Sequence, residues 1–292
     1  MEQRGLLTLL SDFGLSDGYV GIMKGAIARV NATLTVIDLT HQIPPQNIAL
    51  ASFTLMTAYA YFPPGTVHVA VVDPGVGSTR RAIAVAVGED AAHPTAYLVG
   101  PDNGLFSGVL AAHTVITAIA LTQPQYWCTP KPSATFHGRD IFAPVGAHLA
   151  SGVPLNQLGQ RVAPETLVTL DLPPCYLYEE PVELPQADAV LKQDTAAIAP
   201  HGYKIEGYVQ AIDHFGNLIT NIPGVQVFGN QWSVLIDHTT LPGKETYSDS
   251  QPGDLLALVG SHGWIEIAVN GSSAQARLNL GWSDSVCVVV SG

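Results

Sequence analysis

The chain has 292 residues, 47% hydrophobic and only 12% charged, enough to bury a large core and too apolar for a disordered chain. Twelve Lys and Arg against 24 Asp and Glu give a formal charge of −12. Such a balance repels phosphate backbones, which argues against a nucleic-acid partner, and favours a cationic small molecule.

Cys128, Cys175 and Cys287 are few, odd in number and without a CxxC pair. No disulfide framework is expected, and a reducing, cytoplasmic setting is. The opening "MEQRGLLTLLSDFG" lacks a signal-peptide shape, and no run approaches the roughly 20 apolar residues of a membrane helix, so no membrane partner is expected.

In chain order, "LLTLLS" (6–11) is a short apolar strand ending at Asp12 and Gly14. "YVGIMKGAIARVN" (19–31) carries Tyr19, Ile22, Met23, Ile27 and Val30 at helical spacing. "TLTVIDLT" (33–40) returns to strand character, and "NIALASFTLMTAYAYF" (47–62) is an apolar helix stopped by "PPG". "TVHVAVVD" (66–73), "RAIAVAVG" (81–88) and "AYLVGPDNG" (96–104) are three further strands. The alternation predicts an α/β sheet with helices on its faces.

Three strands end in an acid followed by glycine. Run parallel, they would bring Asp12, Asp73 and Asp102 to one rim, where open α/β sheets bind ligands. The alternative is that Asp and Gly simply start turns.

Residues 172–200 are rich in Pro and acids and lack periodicity. Beyond them, "KIEGYVQAID", "QVFGNQWSVLID", "DLLALVG", "GWIEIAVN" and "DSVCVVVS" are short β segments closely punctuated by turns, as in a small all-β barrel or sandwich. The expected organisation is an N-terminal α/β domain over 1–178, a linker over 179–200 and a C-terminal β domain over 201–292.

Three motifs carry chemistry. In "VDPGVGSTRR" (72–81), Gly75 and Gly77 match half of a dinucleotide fingerprint, but Arg80 replaces the third glycine and a strand follows, so the phosphate cradle fails. The loop instead brings Asp73 near Arg80, either as a functional pair or as an ion pair bracing a turn. In "TFHGRDIFAP" (135–144), Asp140 is a plausible N-cap, with His137 at the helix start. In "IDHFGNLITNI" (212–222), Asp213, Phe215, Asn217 and Asn221 would clasp an amine and a flat base, or form an ordinary hairpin. Histidine and cysteine spacings support no metal site, and neither GxSxG nor a Walker loop occurs.

Together, "SDFGLSDGYVGIMKGAI", "DLTHQIPPQNIALA", "VVDPGVGSTRR", "GPDNGLF", "FHGRDIFAP" and "IDHFGNLITNI" resemble the S-adenosyl-L-methionine hydrolase (SAM hydroxide adenosyltransferase) family, in order and over nearly the whole chain. Fluorinase and chlorinase are relatives. The resemblance implies an N-terminal α/β domain, a C-terminal β-barrel and a homotrimer with sites between subunits. It implies cleavage of S-adenosylmethionine by water to adenosine and methionine, with no cofactor and no metal. By motif match Asp73, Arg80 and His137 are the catalytic set and Asp12 holds the ribose hydroxyls. Asp213 takes the methionine amine, Phe215 stacks on adenine, and Asn217 bonds near the base. Ser261, in "GSHGWIEIAVNGS", contacts the methionine carboxylate or the adenine edge. Halogenases lack the Asp-Arg-His set, carry Trp near the position of Gln46 and have Arg where His262 stands. A halide-dependent enzyme and a non-catalytic S-adenosylmethionine or adenosine binder are the alternatives.

Overall fold

The computed structural model describes residues 5–178, 202–236 and 239–291. The chain divides into two compact units, Met1–Asp171 and Leu172–Gly292. The linker expected over 179–200 lies outside the described residues.

The first unit contains β1 (Leu6–Ser11), α1 (Tyr19–Val30), β2 (Thr35–Thr40), α2 (Ile48–Ala58), β3 (Thr66–Val71), β4 (Ala82–Val87), β5 (Ala96–Pro101), α3 (Ser107–Ala112), β6 (Val115–Ala120), α4 (Ala143–Ala150) and β7 (Gln160–Val162). Its sheet runs β2-β1-β3-β5-β4-β6-β7. β2, β1, β3 and β5 are parallel, while β4, β6 and β7 alternate antiparallel.

Helices cover both faces, which is why the central strands read as nearly unbroken apolar runs. All six residues of β3 are buried. Along it, Val67, Val69 and Val71 face one core with Met23 and Ile27 of α1 and Val145 and Leu149 of α4. Ala70 faces the opposite core with Ala51 and Leu55 of α2 and Val109 of α3. Asn47 caps α2 by accepting from Leu50 N at 2.9 Å. The helix is shorter than its apolar pattern: residues 59–61 tighten into a 3-10 turn before the two prolines.

The second unit contains β8 (Tyr176–Tyr178), β9 (Tyr203–Ile212), β10 (Leu218–Pro223), β11 (Gln231–Ile236), β12 (Thr239–Lys244), β13 (Leu255–Val259), β14 (Trp264–Val269), α5 (Ala274–Leu278) and β15 (Ser285–Ser291). The order β10-β14-β13-β12-β11-β15-β9 is closed by pairing of β9 with β10, giving a seven-stranded barrel with β8 outside it on β9. Alternate residues fill it, as Val286, Val288 and Val290 of β15 do. Closure removes the sheet edges that a sandwich of such short strands would expose. Among the described residues, no helix is long and apolar enough to cross a membrane.

Candidate active site

Because β1 and β3 are parallel neighbours, the turns after them open on the same rim. A cavity of about 420 Å³ lies there, lined in part by Asp12, Asp73, Gln46 and His137. Asp12 follows β1 directly and accepts from the backbone N–H of Gln46 at 2.8 Å. Gln46 has φ 66°, a left-handed conformation uncommon for a side chain of its size. Below Asp12, Ser11 Oγ shares a 2.7 Å hydrogen bond with His41 Nδ1. Phe13, Tyr19 and Phe136 form an aromatic wall, their centroids 5.2–5.9 Å apart.

The loop after β3 folds back through Gly77, whose φ of 76° suits glycine. A Cβ there would collide with the Ala134 carbonyl, three residues before His137. The turn delivers Arg80 to Asp73. Arg80 Nε donates to both carboxylate oxygens, at 2.9 and 3.1 Å, and Nη2 donates to Oδ2. The same Nη2 lies 2.6 Å from His137 Nδ1. Arginine only donates, so Nδ1 accepts and the neutral ring carries its proton on Nε2. Burial, reinforced by the Arg80 charge, lowers the His137 pKa and keeps the ring neutral. The Asp73 and Arg80 side chains are 5% and 10% exposed, and the guanidinium sits 5.3 Å from the Phe142 ring centre. A charge pair this buried is tolerated only with such dense pairing.

Two expectations about this rim need correction. Asp140 is not the N-cap: His137 occupies that position, and Gly138–Phe142 forms a π-helical turn leading into α4. Asp140 lies inside that turn, buried, and reaches back to accept from Ser133 N at 2.7 Å while pairing with Arg139. Asp102 does not join the rim cavity. Antiparallel β4 puts Arg81 beside it, and its carboxylate is taken by Arg81 Nε (2.6 Å) and Val168 N (2.9 Å).

In the barrel, "IDHFGN" makes the β9–β10 hairpin. Asp213 Oδ1 accepts from Phe215 N and Asn217 N, and Oδ2 from Asn217 Nδ2, each at 2.9 Å. This turn leaves Phe215 73% exposed. Phe215 and Asn217 line a cavity of about 470 Å³ with Tyr247 and Asn270. Asn221, read as part of the clasp, is spent in the wall, accepting from Tyr208 N and donating to Pro173 O. Ser261 lies exposed in the turn between β13 and β14, outside that cavity's lining.

The sequence reading missed Tyr247 and Glu266. The Tyr247 hydroxyl donates to Glu266, and Asn217 Nδ2 reaches it at 3.3 Å. His262 Nε2 lies 3.1 Å from the other Glu266 oxygen. Burial, with the Glu266 carboxylate beside it, pushes the Tyr247 pKa up and keeps the phenol a donor. The available signal was a lone acid in the apolar strand "WIEIAV". Among the described residues, no group of three or more His, Cys, Asp or Glu is placed to hold a metal.

Comparison with known proteins places both units. Residues 7–159 match the SAM hydroxide adenosyltransferase N-terminal domain and residues 207–287 the C-terminal domain. The chain belongs to the SAM hydroxide adenosyltransferase family. Among relatives, the (R)-S-adenosyl-L-methionine hydrolase of Salinispora tropica is 38% identical over 274 residues, 94% of each chain. A protein of the same name from Thermus thermophilus is 38% identical over 93% of this chain and 94% of its own. Fluorinases are more distant: that of Nocardia brasiliensis is 26% identical over 99% of this chain and 98% of its own. A crystal structure of an uncharacterized conserved protein from Thermotoga maritima superimposes with TM-score 0.80 at 32% identity, covering 97% of this chain and 99% of that one.

Proposed function

We propose that the protein hydrolyses S-adenosyl-L-methionine to adenosine and L-methionine, with water attacking C5′ in line with the departing sulfur. The observation that carries this reading is the buried Asp73–Arg80–His137 chain on the wall of the cavity that also holds Asp12. It agrees with the name borne by the relatives at 38% identity.

The chemistry asks little beyond positioning. The sulfonium leaves as a neutral thioether, so no acid need protonate it. A C5′–O bond forms as the C5′–S bond breaks, sulfur keeps the electron pair, and one water proton must be accepted. Arg80 is only a donor, and the His137 Nδ1 lone pair is engaged by it. Asp73 is therefore the acceptor, and Arg80 fixes its orientation. Such base assistance contributes typically about 10²–10⁴-fold. Holding the water behind C5′ contributes the larger share, with effective molarities on the order of 10⁵ M or more.

Asp12 binds the ribose hydroxyls, one oxygen being pre-set by Gln46 N. Asp213 receives three N–H bonds, which leaves a carboxylate capacity for the methionine ammonium. Phe215 stacks on adenine, Asn217 Oδ1 accepts near the base, and Ser261 meets the methionine carboxylate or the adenine edge. A homotrimer with sites between subunits, as the family resemblance implies, is part of the same proposal; light scattering tests it. Three free thiols and a net charge of −12 suit a cytoplasmic protein with neither membrane nor nucleic-acid partners.

The test is turnover in heavy-oxygen water followed by mass spectrometry. The label is expected on the 5′ oxygen of adenosine. Unlabelled adenosine, or label in methionine, would remove the C5′ attack.

A further inference from the structure

The dipeptide Asp102–Asn103 follows β5 and takes no place in the cavity, yet it touches both ends of the loop that carries Asp73 and Arg80. β5 lies between β3 and β4, so its end is flanked by the entry to that loop and by its exit. On the entry side, Asn103 Nδ2 donates to the Val72 carbonyl at 2.8 Å, one residue before Asp73. Asn103 Oδ1 accepts from Leu105 N at 3.2 Å, which fixes the amide's orientation. On the exit side, Asp102 N donates to Arg81 O at 3.0 Å, one residue after Arg80. The Asp102 carboxylate, 2% exposed, grips the Arg81 guanidinium, and Val168 N holds its other oxygen. Arg81 is anchored in turn by Thr166, with Nη1 to Oγ1 at 2.9 Å and Nη2 to the carbonyl.

We propose that Asp102 and Asn103 are positioning residues: together they clamp Val72 and Arg81, and so set the separation at which Arg80 chelates Asp73 and reaches His137. The proposal rests on the hydrolytic reading of that loop. It explains why the buried acid after β5 faces an arginine rather than the cavity. Neither residue lines the cavity. Their effect passes through Arg80, and displacements of about 1 Å in such groups cost on the order of 10²-fold in rate.

Two substitutions keep the local shape and loosen one end each. Asn103→Asp retains the acceptor for Leu105 N and replaces the donor to Val72. Asp102→Asn retains the acceptor for Val168 N and removes the charge facing Arg81. Both are expected to lower kcat by about 10²-fold with KM within threefold. The second readout is the His137 imidazole titration followed by NMR. Burial lowers the pKa of that ring most; of the charged groups acting on it, Arg80 lowers it further while Asp73 and Asp140 raise it. A loosened Arg80 is expected to let the His137 midpoint rise toward 6.5 in both variants. Leu55→Ala, in the core on the far face of the sheet, is expected to lower the melting temperature and leave that midpoint in place.

An unmoved His137 titration in folded Asn103→Asp and Asp102→Asn proteins would overturn the clamp. So would a shift of equal size in Leu55→Ala. Should Asn103→Asp not fold, Asn103→Ala removes the donor without adding charge and carries the same expectation. If wild-type protein fails to cleave S-adenosylmethionine, the hydrolytic reading falls, and the titration still decides the clamp.

Discussion

His68 lies in the middle of β3 and is 1% exposed. Its Nδ1 shares a hydrogen bond with Thr8 Oγ1 at 2.8 Å, and its Nε2 has no partner among the described residues. A proton added there would be a buried, unpaired charge, and burial pulls the imidazole pKa down from 6.5 to about 4. The folded state therefore binds this proton less readily than the unfolded chain. The stability that follows is fully present above pH 6.5 and is lost as the pH falls toward 4. The whole loss is about 3 kcal/mol at about 1.4 kcal/mol per pH unit, of which about 2 kcal/mol is gone by pH 5. Ordinary carboxylates remain largely ionised down to about pH 5, the lower limit of the assay. His137 and His148, also lowered, are present in wild type and variant alike, so their contribution cancels in the comparison. The assay is urea unfolding near pH 7 and near pH 5, for wild type and His68→Gln. It is followed by helical circular dichroism because α1–α4 all lie in the first unit. With an m-value of about 3 kcal/mol/M, the wild-type midpoint should fall about 0.7 M further than the variant's. Equal losses in the two proteins would refute the reasoning.

Three further outcomes follow from the site. A protonated His137 would set a second donor against Arg80, so activity should fall with pH through a midpoint below 6.5, and His137→Gln should abolish that limb of the profile. Gly77→Ala forces an unfavourable φ and a collision with the Ala134 carbonyl, and should cost about 1–3 kcal/mol of stability and at least tenfold in kcat. Gly152→Ala, also at positive φ but in open space, should cost about 1 kcal/mol and spare activity; equal effects in calorimetry would show that the Ala134 contact is unimportant. Phe215→Ala should raise KM for S-adenosylmethionine by about tenfold or more in steady-state kinetics, since base stacking is worth about 1–3 kcal/mol; an unchanged KM would remove the stacking role.

Much of this was legible because the determinants are local. Strands buried on both faces spelled themselves as apolar runs, and the close repetition of short β segments announced a small all-β unit, barrel or sandwich, which the family resemblance narrowed to a barrel. Asp73 and Arg80 are seven residues apart, so a glycine turn alone brings them together. What escaped depends on neighbours distant in sequence. Arg80 and His137 are 57 residues apart: the family resemblance grouped them, but their spacing alone does not, because the packing of the 134–138 segment on the Gly77 turn is what joins them. Asp102 looked like its counterparts Asp12 and Asp73, but the direction of β4 decided which side chain it would meet. Asp140 looked like a cap because spacing cannot show that a π turn begins the helix earlier. Tyr247 and Glu266 pair across 19 residues and two strands, and no motif signalled the tyrosine.

The central claim is that this Asp-Arg-His arrangement drives hydrolysis of S-adenosylmethionine. It is tested most directly by chromatography of S-adenosylmethionine incubated with wild type and with Asp73→Ala, each with and without chloride. The account predicts adenosine and methionine from wild type alone, in yields indifferent to chloride. A 5′-halogenated product, unchanged substrate, or full activity in Asp73→Ala would contradict it.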